Sequence, residues 1–412
     1  MAIDRRSLLA AGAGTTAALS LPGIAVAGNR PPTIARFTLD AVTLDGGEQV
    51  TAVTLDTARL GPIAPASLTP ATFTVHAKAT SPIPIAPGDQ IFSEYDLDRP
   101  VTAARLDRRG DIVLELSYAE GQVGGGTLGY IAGKGRNVRL DLTYTITQTA
   151  PLRLRDGRPL TIERFEQGRL VNPEVDAFSY HTSGSGMRYR LFAPAGSARH
   201  ARHPLIVWLH GGGEGASLPD NYYDNETTLR ANRGALGFAT PQAQRIFAGA
   251  YVVAPQSTSY WLEDGDRFAP QINEIVQDLA RRLPIDRRRI YVAGCSNGGY
   301  MSLKMTTVYP SAFAASVPIC GVVTSVLTDD ELRHIDTPTW LVASLDDDTV
   351  PPQANTVHAH DLIRRSLISL YDHVIWNGHQ FPGHWSWIYV ARNDPSVGRL
   401  HIWQWMAAQQ RR

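Results

Sequence analysis

Cysteine is scarce in this 412-residue chain, which has only Cys295 and Cys320. That excludes a disulfide-rich scaffold and a zinc site built on cysteines. A surplus of charge is also missing, because 39 Lys and Arg balance 39 Asp and Glu. No global field points to nucleic acid or to an anionic membrane surface, so the expected partner is a small or neutral molecule. Beyond the N-terminus no segment reaches the roughly 20 apolar residues that span a bilayer. Glycine and proline, by contrast, are plentiful at 36 and 27, which favours many turns and substantial β structure. A chain of this length is expected to fold as two domains, three at most.

The chain starts "MAIDRRSLLAAGAGTTAALSLPGIAVAGNRPP", with Arg5 and Arg6 ahead of an uncharged stretch rich in Ala, Gly and Thr. Paired arginines in that setting resemble a twin-arginine export signal, and Ala25-Val26-Ala27 supplies the small residues a signal peptidase needs. Residues 1–27 are expected to be removed on export. The protein would then be secreted or periplasmic, with no stable membrane insertion afterwards. The competing expectation is a retained anchor, for which the many Gly and Thr residues are poor material. Export also makes one disulfide permissible.

Residues 31–168 beat with period two. "ARFTLDAVTL", "VTAVTLD", "ATFTVHAKA", "DIVLELSY" and "VRLDLTYTIT" alternate apolar and polar residues, punctuated by "DGGE", "APGD" and "GGGTLG". Short antiparallel strands with one buried face, and no convincing amphipathic helix among them, point to a β-sandwich of the immunoglobulin type without its core cysteines. Acids, histidines and cysteines do not cluster there, so this domain is expected to hold no chemistry.

Residues 175–412 have a different rhythm. "LIVWL", "AYVVA", "IYVA" and "TWLVAS" are continuous apolar runs separated by segments of helical spacing, such as "PQINEIVQDLARRL" with Ile272, Ile275, Val276, Leu279 and Leu283 on one face. Buried apolar strands alternating with helices predict an α/β fold with a mostly parallel sheet covered on both faces.

The chemistry-bearing motif is "YVAGCSNGGYMS". Ser296 follows a strand and precedes a helix-compatible run, the setting of a nucleophile on a sharp, strained turn, and its flanking glycines keep bulk away from the adjacent strand and helix. A serine hydroxyl needs a base and an acid placed later in the chain. "ASLDDDTVPPQ" offers Asp347, with Asp346 and Asp348 as the neighbours to exclude. "GHQFPGHWSW" offers His384, with His379 as the alternative. Gly383 would allow close approach of the first histidine, and Trp385 and Trp387 would anchor its loop. "LIVWLHGGGEG" ends a strand with three glycines whose N–H groups can face a cavity. Gly212, with Gly213 as second candidate, would join the N–H of Asn297 in an oxyanion hole. The loop lacks the Lys-Ser/Thr ending of a phosphate-binding P-loop. Glu214 reads as a buried structural carboxylate with no catalytic step. Trp261, at the end of a strand, is a candidate pocket wall or a packing residue, and Trp385 is a second pocket candidate. His358 and His360 are spaced i, i+2 without a third ligand, so no metal site is expected. Cys320 ends "ASVPIC", expected to be the strand beside Ser296. Cys295 and Cys320 could therefore be bonded beneath the nucleophile turn, or remain two buried thiols.

"HGGGEG", "NRGALGFATPQAQ", "VVAPQS", "GCSNGGYM", "VPICG", "DDDTVPP" and "GHWSW", with the N-terminal "GEQVTAVTLDTARLGPIAPASLTPATFTVHAKA", resemble the exported esterases that join an immunoglobulin-like domain to an α/β-hydrolase domain. These are relatives of the polyhydroxybutyrate-depolymerase-like and dienelactone-hydrolase-like esterases. The resemblance implies an α/β-hydrolase fold, Ser296 as nucleophile, Asp347 as acid, His384 as base, and backbone donors at Gly212 and Asn297. It implies a small-molecule or polymeric ester as substrate and no cofactor. It leaves open a serine peptidase of the prolyl oligopeptidase type and a polyester depolymerase. From another class, a polymer- or surface-binding protein with a degenerate hydrolase domain is the remaining alternative. Acyl chain length, alcohol moiety and oligomeric state are not legible, because pocket walls come from loops without a readable code.

Overall fold

The computed structural model describes residues 32–195, 201–220 and 222–411. The expected export segment, residues 1–27, lies outside them. The N-terminal half pairs strands Ile34–Leu44, Gly47–Leu55, Val101–Leu106, Ile112–Leu116 and Arg164–Val171 in one sheet. A second sheet holds Phe73–Thr80, Tyr95–Arg99 and Asp141–Gln148. Their inner faces meet in one core that includes Phe37, Val53, Phe73, Val75, Leu114 and Ile146. Period-two patterning explains this: Phe73, Val75, Ala77 and Ala79 are buried while the residues between them face out. The run "VRLDLTYTIT", read above as one strand, is divided. Arg136–Arg139 belongs to a small third sheet with Leu128–Ile131 and Ile91–Phe92, and Asp141–Gln148 belongs to the sandwich. Leu140, buried in the sandwich core, sits at the corner where the chain changes sheet.

The C-terminal half is built on an eight-stranded sheet, numbered here in chain order: β1 Phe178–Thr182, β2 Arg188–Phe192, β3 His203–Leu209, β4 Tyr251–Pro255, β5 Ile285–Cys295, β6 Ala315–Ile319, β7 Thr339–Ser344 and β8 Ser366–Tyr371. The spatial order is β1-β2-β4-β3-β5-β6-β7-β8, antiparallel at β1-β2 and β2-β4 and parallel thereafter. Hydrophobic clusters cover both faces, as the continuous apolar runs require. Helix α1, Gly265–Arg282, starts upstream of "PQINEIVQDLARRL", where Asp264 caps it by accepting from Arg267 N, and it ends before Leu283. The segment "DHVIW" is not part of the main sheet. Val374–Trp376 pairs with His379–Phe381 in a separate hairpin after β8.

Buried ion pairs join the two halves. Glu48, fully buried in the sandwich, receives hydrogen bonds from Thr127 Oγ1 (2.6 Å), Asn172 Nδ2 (2.7 Å) and the Arg230 guanidinium. Arg230 also pairs with Glu226 at 2.6 Å, and Glu226 with Arg190 at 3.2 Å. Arg392 holds Asp45 through both carboxylate oxygens, at 2.9 and 2.8 Å.

Candidate active site

Ser296 sits between the end of β5 and helix α2, Asn297–Val308. Its backbone is left-handed, φ 54° and ψ −116°, a costly conformation for a residue with a side chain and one tolerated where the surroundings over-determine it. Ser296 N donates to Ile319 O at 2.8 Å, which ties the turn to β6. Gly298 shows why the motif needs glycine, since a Cβ there would collide with the Leu209 carbonyl of β3. The turn therefore lies against the strand that carries the "HGGG" loop.

Asp347 follows β7 with its side chain fully buried. Thr349 N and Val350 N each donate to Oδ1 at 2.9 Å, and Oδ2 lies 2.8 Å from His384 Nδ1. His384 lies in the short turn Gly383–Trp385, and a side chain at Gly383 would strike the Asp346 carbonyl. Burial opposes the imidazolium of His384. The adjacent Cys320 sulfur and the Asp347 carboxylate more than offset that, so its pKa lies above the ordinary 6.5. Ser296 and His384 line one cleft, and no hydrogen bond joins them among the described residues.

The neighbours weighed above lie elsewhere. Asp346 accepts from Ser344 Oγ and contacts His373 Nδ1 at 2.8 Å, and Asp348 is exposed. His379 packs edge-on against Phe381 in the hairpin. His358 contacts the exposed Asp329 at 2.9 Å and His360 contacts Ser366 Oγ at 2.8 Å, so the two point to separate partners.

The glycine loop after β3 is shaped from beneath by His210. Ser257 N donates to His210 Nε2 at 3.0 Å, which places the proton on Nδ1, donated to Gly211 O at 2.6 Å. Burial lowers the His210 pKa to about 4, so this imidazole stays neutral. Gly212, Gly213 and Glu214 form a single 3-10 turn, and with Ser296 they line the cleft. Glu214 is buried, and burial raises its carboxyl from the ordinary 4.5 to about 7, against the opposing pull of Gly211 N–H and Asn137.

Two alternatives left open by the sequence are resolved. Trp261 is no pocket wall: it is wholly buried, its indole N–H donates to His210 O at 3.0 Å, and it packs against His210 and Phe268. The turn Trp261–Glu263 directs the indole into the core beneath the loop, while the preceding Tyr260 lies beside Gly212. Cys295 and Cys320 are free buried thiols, not a disulfide. Strand register pairs Cys295 with Ile319, and at Cys320 the chain turns with φ 41°, which carries that sulfur toward the acid and the histidine. The Cys320 sulfur, an Asp347 oxygen and a His384 nitrogen lie within 4.8 Å of one another. These are metal-type donors, but Asp347 and His384 are already engaged with each other.

The cleft encloses about 680 Å³, and its walls come from both domains. The C-terminal domain contributes Gly211–Glu214, Ser296, His384, Trp385 and Trp387, and the N-terminal domain contributes Gln49, Val123, Tyr130 and Asn137. Trp385 and Trp387 stack with ring centres 5.8 Å apart, and Trp387 meets His384 edge-on at 5.6 Å. The expectation that the N-terminal domain stays out of the chemistry therefore misses its part in the cleft. The only sequence signal was the glycine-rich "GQVGGGTLG", which reads equally well as a turn.

Residues 39–161 match the model of the esterase Ig-like N-terminal domain, and residues 258–334 match that of the prolyl oligopeptidase family. Poly(3-hydroxyalkanoate) depolymerase C of Paucimonas lemoignei is 30% identical over 145 residues, 32% of this chain and 31% of that protein. NocK, a candidate esterase of Nocardia uniformis subsp. tsuyamanensis, is 26% identical over 166 residues, 39% of this chain and 46% of that one. The chain thus spans less than half the length of these curated relatives. The crystal structure of a thermostable esterase superposes with a TM-score of 0.72 at 24% identity, covering 91% of this chain and 99% of the other. The chain thus has an immunoglobulin-like N-terminal domain, similar over residues 39–161 to that of esterases, followed by a domain of α/β-hydrolase fold.

Proposed function

We propose that the protein is an exported serine carboxylesterase with Ser296, His384 and Asp347 as its triad. The observation that carries this reading is Ser296, on a left-handed backbone, sharing one cleft with a histidine hydrogen-bonded to a buried aspartate. His384 would accept the Ser296 proton as Oγ attacks the ester carbonyl. Asp347, fixed by two backbone N–H donors, holds the imidazole in one tautomer and stabilises its cation. The negative oxygen of the tetrahedral intermediate would be met by the N–H groups of Gly212 or Gly213 and of Asn297. Collapse returns the proton to the departing alcohol and leaves an acyl-Ser296. His384 then deprotonates water, which releases the acid and restores the serine.

The test is Ser296→Ala on a short-chain p-nitrophenyl ester. Turnover should fall by at least roughly a thousandfold, as loss of a triad nucleophile does elsewhere; near-wild-type turnover would sink the reading. The match of residues 258–334 to the prolyl oligopeptidase family favours one second reading, a serine peptidase with the same triad. A Pro-containing amide assayed beside the ester separates the two. Export belongs to the same proposal, and N-terminal sequencing of protein recovered outside the cytoplasm should begin just after Ala27.

A further inference from the structure

The contacts that hold the loop after β3 come from both domains. Along the ribbon strand Arg136–Arg139 and the residues just before it, Asn137 Nδ2 donates to Glu214 Oε1 at 3.3 Å, and Arg136 donates to Ala216 O. Lys134 Nζ pairs with Asp220 at 2.7 Å, and Tyr260, whose ring edge lies beside Gly212, donates its hydroxyl to Lys134 O. Of these contacts, the one through Glu214 is made by a residue of the glycine turn itself. Its Oε2 lies against Gly211, 3.0 Å from where a Cβ there would sit, and its own carbonyl is held by Gln256 Nε2 at 2.9 Å. It lines the cleft together with Asn137, Gly212, Gly213 and Ser296.

We propose that Glu214 is the positioning residue of the oxyanion loop, and that Asn137 of the immunoglobulin-like domain holds it in place. The claim rests on the hydrolase reading above and deepens it. The physical reason is that oxyanion donors act only when pre-aimed. The turn Gly212–Glu214 is one residue triplet with two glycines, so it has no side-chain packing of its own to aim it. A carboxylate set against Gly211 on one side and hydrogen-bonded to Asn137 on the other supplies that constraint. Glu214 touches no reacting atom in this scheme. The immunoglobulin-like domain would thereby take part in catalysis without a catalytic group.

The full chain is tested by steady-state kinetics on a p-nitrophenyl ester and by hydrogen exchange of the loop peptide covering residues 210–217. Glu214→Ala and Asn137→Ala should each lower kcat roughly 10- to 100-fold, the cost of about 1 Å of misplacement, with KM within about threefold. Both should speed exchange at the loop amides by roughly tenfold or more. Asn137→Asp sets two carboxyls face to face and should be as damaging. Adding Glu214→Gln reverses donor and acceptor and should recover at least about tenfold of the lost kcat. Wild-type kcat in the alanine variants, a loss confined to KM, unchanged loop exchange, or no recovery in the swapped pair would each overturn the proposal. If Glu214→Ala fails to fold, Asn137→Ala and the swapped pair decide. If the wild type hydrolyses no ester, the hydrolase reading falls, and loop exchange alone decides whether Glu214 and Asn137 hold the loop.

Discussion

Glu214→Gln should make the protein more stable relative to wild type as pH rises, and the size of the change follows from the burial of the carboxyl. Burial moves the pKa from 4.5 to about 7. At ~1.4 kcal/mol per tenfold change in proton affinity this is worth about 3 kcal/mol. In the folded protein the group keeps its proton up to about 7, whereas the unfolded chain releases it near 4.5. Between those values the folded state binds more protons, so wild-type stability falls as pH rises and the full cost is present above about 7. The groups facing the carboxyl are Asn137 from the ribbon, Gly211 N–H from its own loop, Cys295 from β5, Tyr130 from the neighbouring domain and His384 from beyond β8. Of these the first two and His384 favour the ionised form, and burial outweighs them. Glutamine does not titrate. The stability difference between variant and wild type should therefore grow by about 3 kcal/mol from below pH 4.5 to above pH 7, whatever constant cost the lost acceptor adds. Denaturant melts of both proteins at half-unit steps from pH 5 to 8 read most of that window. A difference that stays flat, or that shrinks with pH, would refute the account of a buried, high-pKa carboxyl in the glycine loop after β3.

Removing the Glu48 side chain by Glu48→Ala leaves the buried Arg230 guanidinium with Glu226 as its remaining acid, and should cost about 3–5 kcal/mol in a denaturant melt. A loss under about 1 kcal/mol would mean that the pair contributes little to joining the domains. Tyr130→Ala takes away a cleft wall supplied by the immunoglobulin-like domain, and should raise KM for bulky aryl esters roughly tenfold while leaving kcat within about twofold. Unchanged KM across an ester panel would show that substrate does not reach that wall. Unfolded without reductant, the protein should titrate as two free thiols, Cys295 and Cys320; none would mean that they are bonded.

The parts of the fold that sequence patterning exposes best are those with one physical solution. "LIVWL" and "TWLVAS" can be buried on both faces only inside a parallel sheet, and they are β3 and β7. The alternation in "ATFTVHAKA" can serve only a sheet with one wet face, and Phe73–Thr80 is such a strand. Boundaries were less legible. Nothing in "VRLDLTYTIT" marks Leu140 as a corner, because a residue buried in a strand and one buried at a change of sheet look alike in hydropathy. The place of Trp261 stayed open for a related reason. A short 3-10 turn decides whether Tyr260 or Trp261 faces the loop, and a difference of one residue moves an aromatic ring from pocket wall to core.

The site divides along the same physical line. Ser296, Asp347 and His384 are legible because each carries reactive groups in a setting that chemistry restricts. Residues that act through shape or through a partner leave no such trace. Asn137 is one amide in a strand of a domain without clustered acids or histidines, yet it reaches Glu214 across the domain boundary. The buried chain Glu48–Arg230–Glu226–Arg190 explains how so slight a contact can matter. Charges sealed between two domains resist separation, since pulling one partner away leaves the other buried and unpaired. Two bodies joined in this way cannot hinge freely, so the distance from Asn137 to the glycine loop is set by the interface. The width of the 680 Å³ cleft between Tyr130 and the Trp385–Trp387 stack is set by it too. Under the proposed esterase function, selection among esters would then depend on the fit between domains, and substitutions in the small sheet Leu128–Ile131/Arg136–Arg139 should alter it as readily as substitutions around Ser296.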